Sequence, residues 1–241
     1  MDLLWVATCY LLGSIPGAYI VARAVKGIDI RRSGSGHVGG ANVWAHVSFG
    51  AFLIVGLVDI AKAILAVAVG QRLGLGPWAV VAAGWAVIIG HNWSLFLRGA
   101  GGRGVSTIMG ALLLLGPWEA LFLFVALVLG QLTGLGGIAV LLALAAMPLL
   151  AWGVGEPVPL VIYTLGAFAL HFTKRVLGSR LPWQIPPAER KQVLIYRLLL
   201  DRDTREHKAS ISAKRRIGED REEKDRLIRD VEEWLEEKAD D

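Results

Sequence analysis

The chain has 241 residues, 54% of them hydrophobic, and a mean hydropathy of +0.53. That content excludes an ordinary soluble domain of this size and reads as a polytopic membrane protein. The formal charge of +4 is unevenly spread, sparse before about Lys174 and dense after it, which divides the chain into a membrane part, residues 1–180, and a charged cytoplasmic helical tail, residues 181–241.

In chain order, the first apolar run covers residues 3–25 and holds the one cysteine, Cys9, so no internal disulfide is possible. It lacks a basic leader and exceeds the apolar length of a signal peptide, so it is expected to remain as a first span. A polar loop follows with Arg31, Arg32, Gly34, Ser35, Gly36, Gly39 and Asn42. The second run, residues 47–70, contains Asp59 and Lys62, three apart and hence on one helical face. Charges inside a span are costly unless paired or facing a wet interior, so a functional role and a mutual ion pair are both open. The third run, residues 77–93, leads into GHNWSLFLRGAGGRGVST, residues 90–107. Runs at 105–115 and 118–132, parted by Gly116-Pro117, and further runs at 136–152 and 157–172 bring the total to seven.

Seven spans place Lys26, Arg31, Arg32, Arg98, Arg103, Lys174, Arg175 and Arg180 on one side and Arg72 on the other, as the preference for cytoplasmic Lys and Arg requires. The expected fold is all-α, with about seven transmembrane helices, the N-terminus outside and the C-terminus cytoplasmic. Both glycine loops then share the cytoplasmic face with residues 131–137 and 171–180. Trp5, Trp44, Trp78, Trp93, Trp118 and Trp152 lie near span ends, where amphipathic rings anchor. In the tail, residues 191–200 read as a short amphipathic helix. Leu227, Ile228, Val231, Trp234 and Leu235 form one narrow helical stripe, suited to a membrane surface, another chain or loose order.

Two segments, residues 34–39 and 99–104, match G-x-G-x-x-G, but membrane spans flank them where a dinucleotide site needs a βαβ unit. A P-loop is excluded because Val105 follows Gly104. The glycines still let backbone N–H groups approach an anion while Arg98 and Arg103 neutralise it, which fits a phosphate. His37, His46, His91 and His171 fall on or beside the same face without metal-ligand spacing, so imidazole is expected to hydrogen-bond or carry protons. No metal, cofactor or nucleic-acid partner is expected.

Three motifs carry a family resemblance. GSIPGAYIVARAVKGIDIRRSGSGHVGGANV, the Asp59-x-x-Lys62 pair and residues 90–107 are similar to successive motifs of the bacterial acyl-phosphate:glycerol-3-phosphate acyltransferases, the PlsY family. The resemblance covers about residues 11–178 and implies a seven-span, metal-free enzyme of the cytoplasmic membrane. Such an enzyme moves a fatty acyl group from acyl phosphate to the 1-hydroxyl of glycerol 3-phosphate, among membrane lipids. By resemblance, Ser35, Arg103, His171 and His91 are catalytic candidates. Gly34, Gly36, Gly39, Asn42, Gly101, Gly102, Gly104, Thr107 and Lys174 are phosphate-binding candidates, with Asp59 and Lys62 in support. The chain departs from the pattern at His37, at Ala45 and Ala100 where the family carries cations, at Gly137 in place of a serine, and at Lys174 in place of an asparagine. Those departures leave a second reading, a family member that binds or transports a phosphorylated lipid precursor or uses another polyol phosphate.

Overall fold

Pro16 has no amide hydrogen, and the first apolar run breaks there into α1 (Asp2–Ser14) and α2 (Gly17–Lys26). In an unbroken helix the Gly13 and Ser14 carbonyls would accept from Gly17 and Ala18. Gly17 N–H turns instead to Ile15 O at 3.1 Å. The freed oxygens accept side-chain donors, Lys62 Nζ onto Gly13 O at 3.0 Å and Ser94 Oγ onto Ser14 O at 2.5 Å. The break is therefore a socket for two side chains from later in the chain.

This computed structural model describes residues 2–178 and 181–201. The remaining helices are α3 (Gly40–His46), α4 (Phe49–Arg72), α5 (Pro77–Asn92), α6 (Val105–Leu115), α7 (Pro117–Leu132), α8 (Gly136–Gly153), α9 (Val158–Leu177) and α10 (Pro187–Leu200). No strand occurs among the described residues. The segments Asp2–Lys26, Phe49–Arg72, Pro77–Leu97 and Gly136–Gly153, and a fifth that begins at Val158, are long and apolar enough to cross a membrane. Helices α6 and α7 are also apolar but have 11 and 16 residues, and extended backbone at Gly116 keeps them separate. All seven apolar runs of the sequence thus become helix. Leu3, Leu57, Trp118, Leu142 and Leu149 stay exposed, as a lipid-facing surface demands.

Lipid tails supply little hydrophobic drive between helices, so close backbone contact through small residues has to hold the bundle. Helices α1 and α5 show this reciprocally. A Cβ on Gly90 would stand 2.8 Å from Ser14 N, and one on Gly13 would stand 2.8 Å from Val87 Cα. Gly110 lies equally tight against Ile60 on α4. Gly90→Ala is expected to destabilise the protein by about 1–3 kcal/mol, because backbone has to move to admit one methyl group. Thermal unfolding in detergent measures it, with Gly153→Ala, which meets open space, as the neutral control.

Helix α10, the short tail helix foreseen at 191–200, begins at Pro187 and packs on α8 and α9. Arg175 Nε donates to Arg197 O at 2.6 Å, while Arg197 Nη1 donates to Val176 O and Leu177 O, carbonyls at the C-terminal end of α9. Helix α10 falls within the same compact unit as the preceding helices. Arg180 and the stripe from Leu227 to Leu235 lie outside the described residues.

Candidate functional site

The first glycine loop is built around Asn42. Its amide nitrogen donates to Ile30 O, Ser33 O and His37 O at 3.0–3.1 Å, so this residue, expected on phosphate, braces the loop. Asp29 caps the 3₁₀ turn beneath it and takes a two-pronged ion pair from Arg31, whose hydrogen bonds hold the Asp29 carboxyl down to about 2. Arg31 is thereby committed away from the loop tip. Ser35 is exposed at that tip, and its Oγ accepts His37 N–H at 3.4 Å.

The second loop folds back on α5, with Gly102 N–H bonded to His91 O at 3.1 Å. A Cβ at Gly102 would collide with the His91 ring and stand 2.9 Å from Val38 O, which is why glycine is required there. Gly104 adopts φ +77° as it caps α6 and lies over the Asn92 carboxamide. The two loops join where Val38 N–H bonds Gly101 O at 3.2 Å, with Gly39 facing Gly102. They meet as the sequence led us to expect.

Arg103 stands at that junction. Its Nη2 donates to His37 Nε2 at 3.1 Å, and His171 Nδ1 lies 3.0 Å from the Arg103 carbonyl. These partners fix both tautomers. His37 is neutral, because burial and then the positive charges of Arg103 and Lys174 push it well below the usual imidazole range. It accepts at Nε2 and so carries its proton on Nδ1, a buried donor with no partner among the described residues. His171 donates from Nδ1 to the carbonyl, which leaves Nε2 as a buried acceptor, likewise unpartnered. One imidazole offers a proton and the other a lone pair, the first bonded to the Arg103 guanidinium and the second to its backbone carbonyl. Thr107, fully buried in the first turn of α6, adds a hydroxyl with no partner among the described residues.

Below the loops, Asp59, Lys62 and His91 form one buried cluster. Lys62 Nζ lies 2.7 Å from Asp59 Oδ1, 3.0 Å from Gly13 O and 3.0 Å from His91 Nδ1. Asp59 Oδ1 and Gly13 O accept two of the ammonium's three N–H bonds. His91 Nδ1 also lies 3.2 Å from Asp59 Oδ1, so both members of the pair hold the ring, with Nε2 toward Gly102. The mutual ion pair left open by the sequence is present, and it holds the imidazole that lies against Gly102. A small pocket lined by Gly13, Pro16, Asp59, His91, Ser94 and Gly101 opens above this cluster.

Lys174, buried on α9, places its Nζ 5.1 Å from the centre of the Trp93 ring, a cation–π contact that ties α9 to the end of α5. Arg175 follows it, fully buried, with Nη1 on Gly137 O at 2.7 Å. Sequence reasoning did not single out Arg175 as a site residue or the Ser14 socket. Pro16 inside an apolar run was the signal for that socket, whereas nothing local marks Arg175 as different from a charge at a span end. Among the described residues, no group of His, Cys, Asp and Glu side chains is arranged to hold a metal ion.

Comparison with known proteins places this geometry. Residues 3–177 match the family described as glycerol-3-phosphate acyltransferase. The chain is 43% identical over 174 residues to a Moorella thermoacetica protein named glycerol-3-phosphate acyltransferase 2, a match covering 70% of this chain and 88% of that one. A glycerol-3-phosphate acyltransferase of Synechococcus sp. strain JA-3-3Ab is 45% identical over 157 residues, covering 65% and 77%. The crystal structure of the integral membrane acyltransferase PlsY (YgiH) in its glycerol 3-phosphate form superposes with a TM-score of 0.69 at 27% identity, covering 85% of this chain and 95% of that one. Its lysophosphatidic acid form gives 0.65 at 28% identity, covering 72% and 87%. With the glycine loops, the Asp59–Lys62 pair and His171 all inside the matched segment, the chain belongs to the glycerol-3-phosphate acyltransferase family.

Proposed function

We propose that this protein transfers a fatty acyl group from acyl phosphate to the 1-hydroxyl of glycerol 3-phosphate, releasing lysophosphatidate and inorganic phosphate. The observation that carries the reading is the Arg103 junction, where two glycine loops, a guanidinium and two imidazoles of fixed and opposite polarity converge. In this reading the site faces the cytoplasm, with the N-terminus outside, the C-terminus inside, and the membrane domain in the cytoplasmic membrane with its lipids around it.

Acyl phosphate is already activated, so the protein has to position two anions and offset their charge. The glycine loops, with the backbone of Gly34, Gly36, Gly39, Gly101 and Gly104 and the Ser35 hydroxyl, hold phosphate beside Arg103 and Lys174. The acceptor hydroxyl attacks the acyl carbon, a C–O ester bond forms, and the C–O bond to the bridging oxygen breaks with its electron pair leaving on phosphate. The hydroxyl proton passes to His171 Nε2 and from there to the departing phosphate. His91 supports the loop in this scheme, with its Nδ1 held by the Asp59–Lys62 pair and its ring against Gly102. Lys174 and Arg175 supply positive charge on a site where Ala45 and Ala100 have none, which favours turnover over passive binding.

The purified protein given acyl phosphate and glycerol 3-phosphate is expected to release phosphate and lysophosphatidate in equal amounts; no turnover with any polyol phosphate would overturn the reading. His171→Ala is expected to lower kcat by about 10²–10⁴-fold with a smaller change in KM, the range for loss of a positioned general base. Steady-state kinetics at saturating donor checks it.

A further inference from the structure

Beyond residue 177, where the family match ends, α10 delivers an acidic group into the cationic site. Asp201 caps α10 with φ +61°, a left-handed conformation that non-glycine residues seldom adopt. That turn aims the side chain back at the bundle. Its carboxylate is ion-paired with Arg103 Nη1 and lies 3.3 Å from Arg175 Nε, while its backbone carbonyl accepts from Arg103 Nη2 at 3.1 Å. One carboxylate thus bridges the central arginine of the second glycine loop and a fully buried arginine of α9.

Arg175 is held in place for this. Its Nη1 and Nε are fastened to Gly137 O and Arg197 O, and its Nη2 has no hydrogen-bond partner among the described residues. A planar guanidinium anchored on two edges and open on a third is prepared for an acceptor with more oxygens than a carboxylate has. A phosphate monoester supplies three terminal oxygens and a second negative charge.

We propose that Arg103 and Arg175 together seat the phosphate monoester of a substrate, and that Asp201 is a built-in competitor which occupies that seat in the resting chain. The inference rests on the site being a phosphate-handling acyltransferase site, and it adds Arg175 as a binding residue and the tail as a brake on substrate entry. The ligand displaces Asp201 because it offers more charge and more acceptors to the same two arginines. Apparent affinity is then reduced by the fraction of time the seat is filled from within.

Equilibrium binding to the detergent-purified full chain tests this without requiring turnover. Glycerol 3-phosphate is titrated in one arm and acetyl phosphate, a water-soluble acyl phosphate, in the other, against the unmodified chain, Asp201→Asn and Asp201→Glu. Asp201→Asn keeps the shape and removes the charge, so binding is expected to tighten about fivefold as the seat is vacated, whereas Asp201→Glu stays near the parent value. Tightening for glycerol 3-phosphate assigns the seat to the acceptor, and tightening for acetyl phosphate assigns it to the donor. Unchanged or weakened binding in both arms with Asp201→Asn overturns the proposal, since a merely structural Asp201 would help the site form. Acyl transfer measured on the same preparations is read separately: tightened binding without turnover in any form refutes the acyltransferase reading and leaves the competitor in place.

Discussion

Arg103→Ala is expected to reduce kcat/KM for acyl transfer by about a thousandfold, the upper end of what removal of one preorganised charge-stabilising donor costs. Three separate functions are lost with that side chain. The guanidinium no longer neutralises phosphate, His37 loses the donor that fixes its tautomer at Nε2, and the two loops lose the group that spans their junction. Arg103→Lys retains the charge but replaces a planar fork with a point donor, so a loss of about tenfold or more is expected even though a cation remains. The backbone carbonyl that orients His171 survives both substitutions, so the His171 hydrogen bond is not the cause of either loss. Steady-state kinetics on detergent-purified protein measures both; a loss below tenfold for Arg103→Ala would remove it from the centre of the site.

The largest effect on stability is expected at the buried pair in α4. Asp59 and Lys62 are 3% and 5% exposed, so removing one partner leaves a charge with no counter-ion in a medium that cannot solvate it. Asp59→Leu is expected to cost about 3–5 kcal/mol, as breaking a buried pair does, whereas replacing both partners by apolar residues of similar volume recovers most of it. The double variant Asp59→Leu/Lys62→Met is therefore expected to unfold close to the parent yet remain poorly active. His91 would no longer be held at Nδ1, and its ring supports Gly102. Thermal unfolding of the two single variants and the double variant, with activity measured alongside, separates the structural cost from the catalytic one. Additive losses in the double variant would show that the two charges act independently.

How much of this was legible in the sequence depended on whether the cause is local. Helix along the apolar runs follows from composition and length, and all of them formed. The glycine clusters pointed to tight backbone approach, and Gly101 and Gly102 do lie against Val38, Asn92 and His91. Pro16 could have announced the socket in the first span, because a missing N–H has a fixed consequence for the helix around it. Asn42 shows what the motif leaves open: an amide beside a glycine loop can face a ligand or bind its own loop, and its nitrogen lies on three loop carbonyls. Lys174 and Arg175 illustrate a different limit. Adjacent cations at a span end satisfy the positive-inside preference whatever they touch, so only packing against Trp93, Gly137 and α10 distinguishes a site residue from a topology signal. Asp201 carried no signal, because its role depends on an αL turn after a tail helix whose docking the sequence did not reveal.

The ion pair of α4 bears also on how the protein is made. A lone Lys or Asp at the centre of a segment costs about 2.5–3.5 kcal/mol when that segment partitions into the bilayer. Lys62 enters before the segment that carries His91 has reached the bilayer, so one of its three partners is missing at that moment. Asp59 travels with it one turn earlier on the same face, and Gly13 has already been threaded with its carbonyl freed by Pro16. The second segment can therefore cross neutralised and partly hydrogen-bonded, and the third completes the coordination when His91 arrives. The broken first helix is an acceptor kept waiting for a charge that follows it through the ribosome.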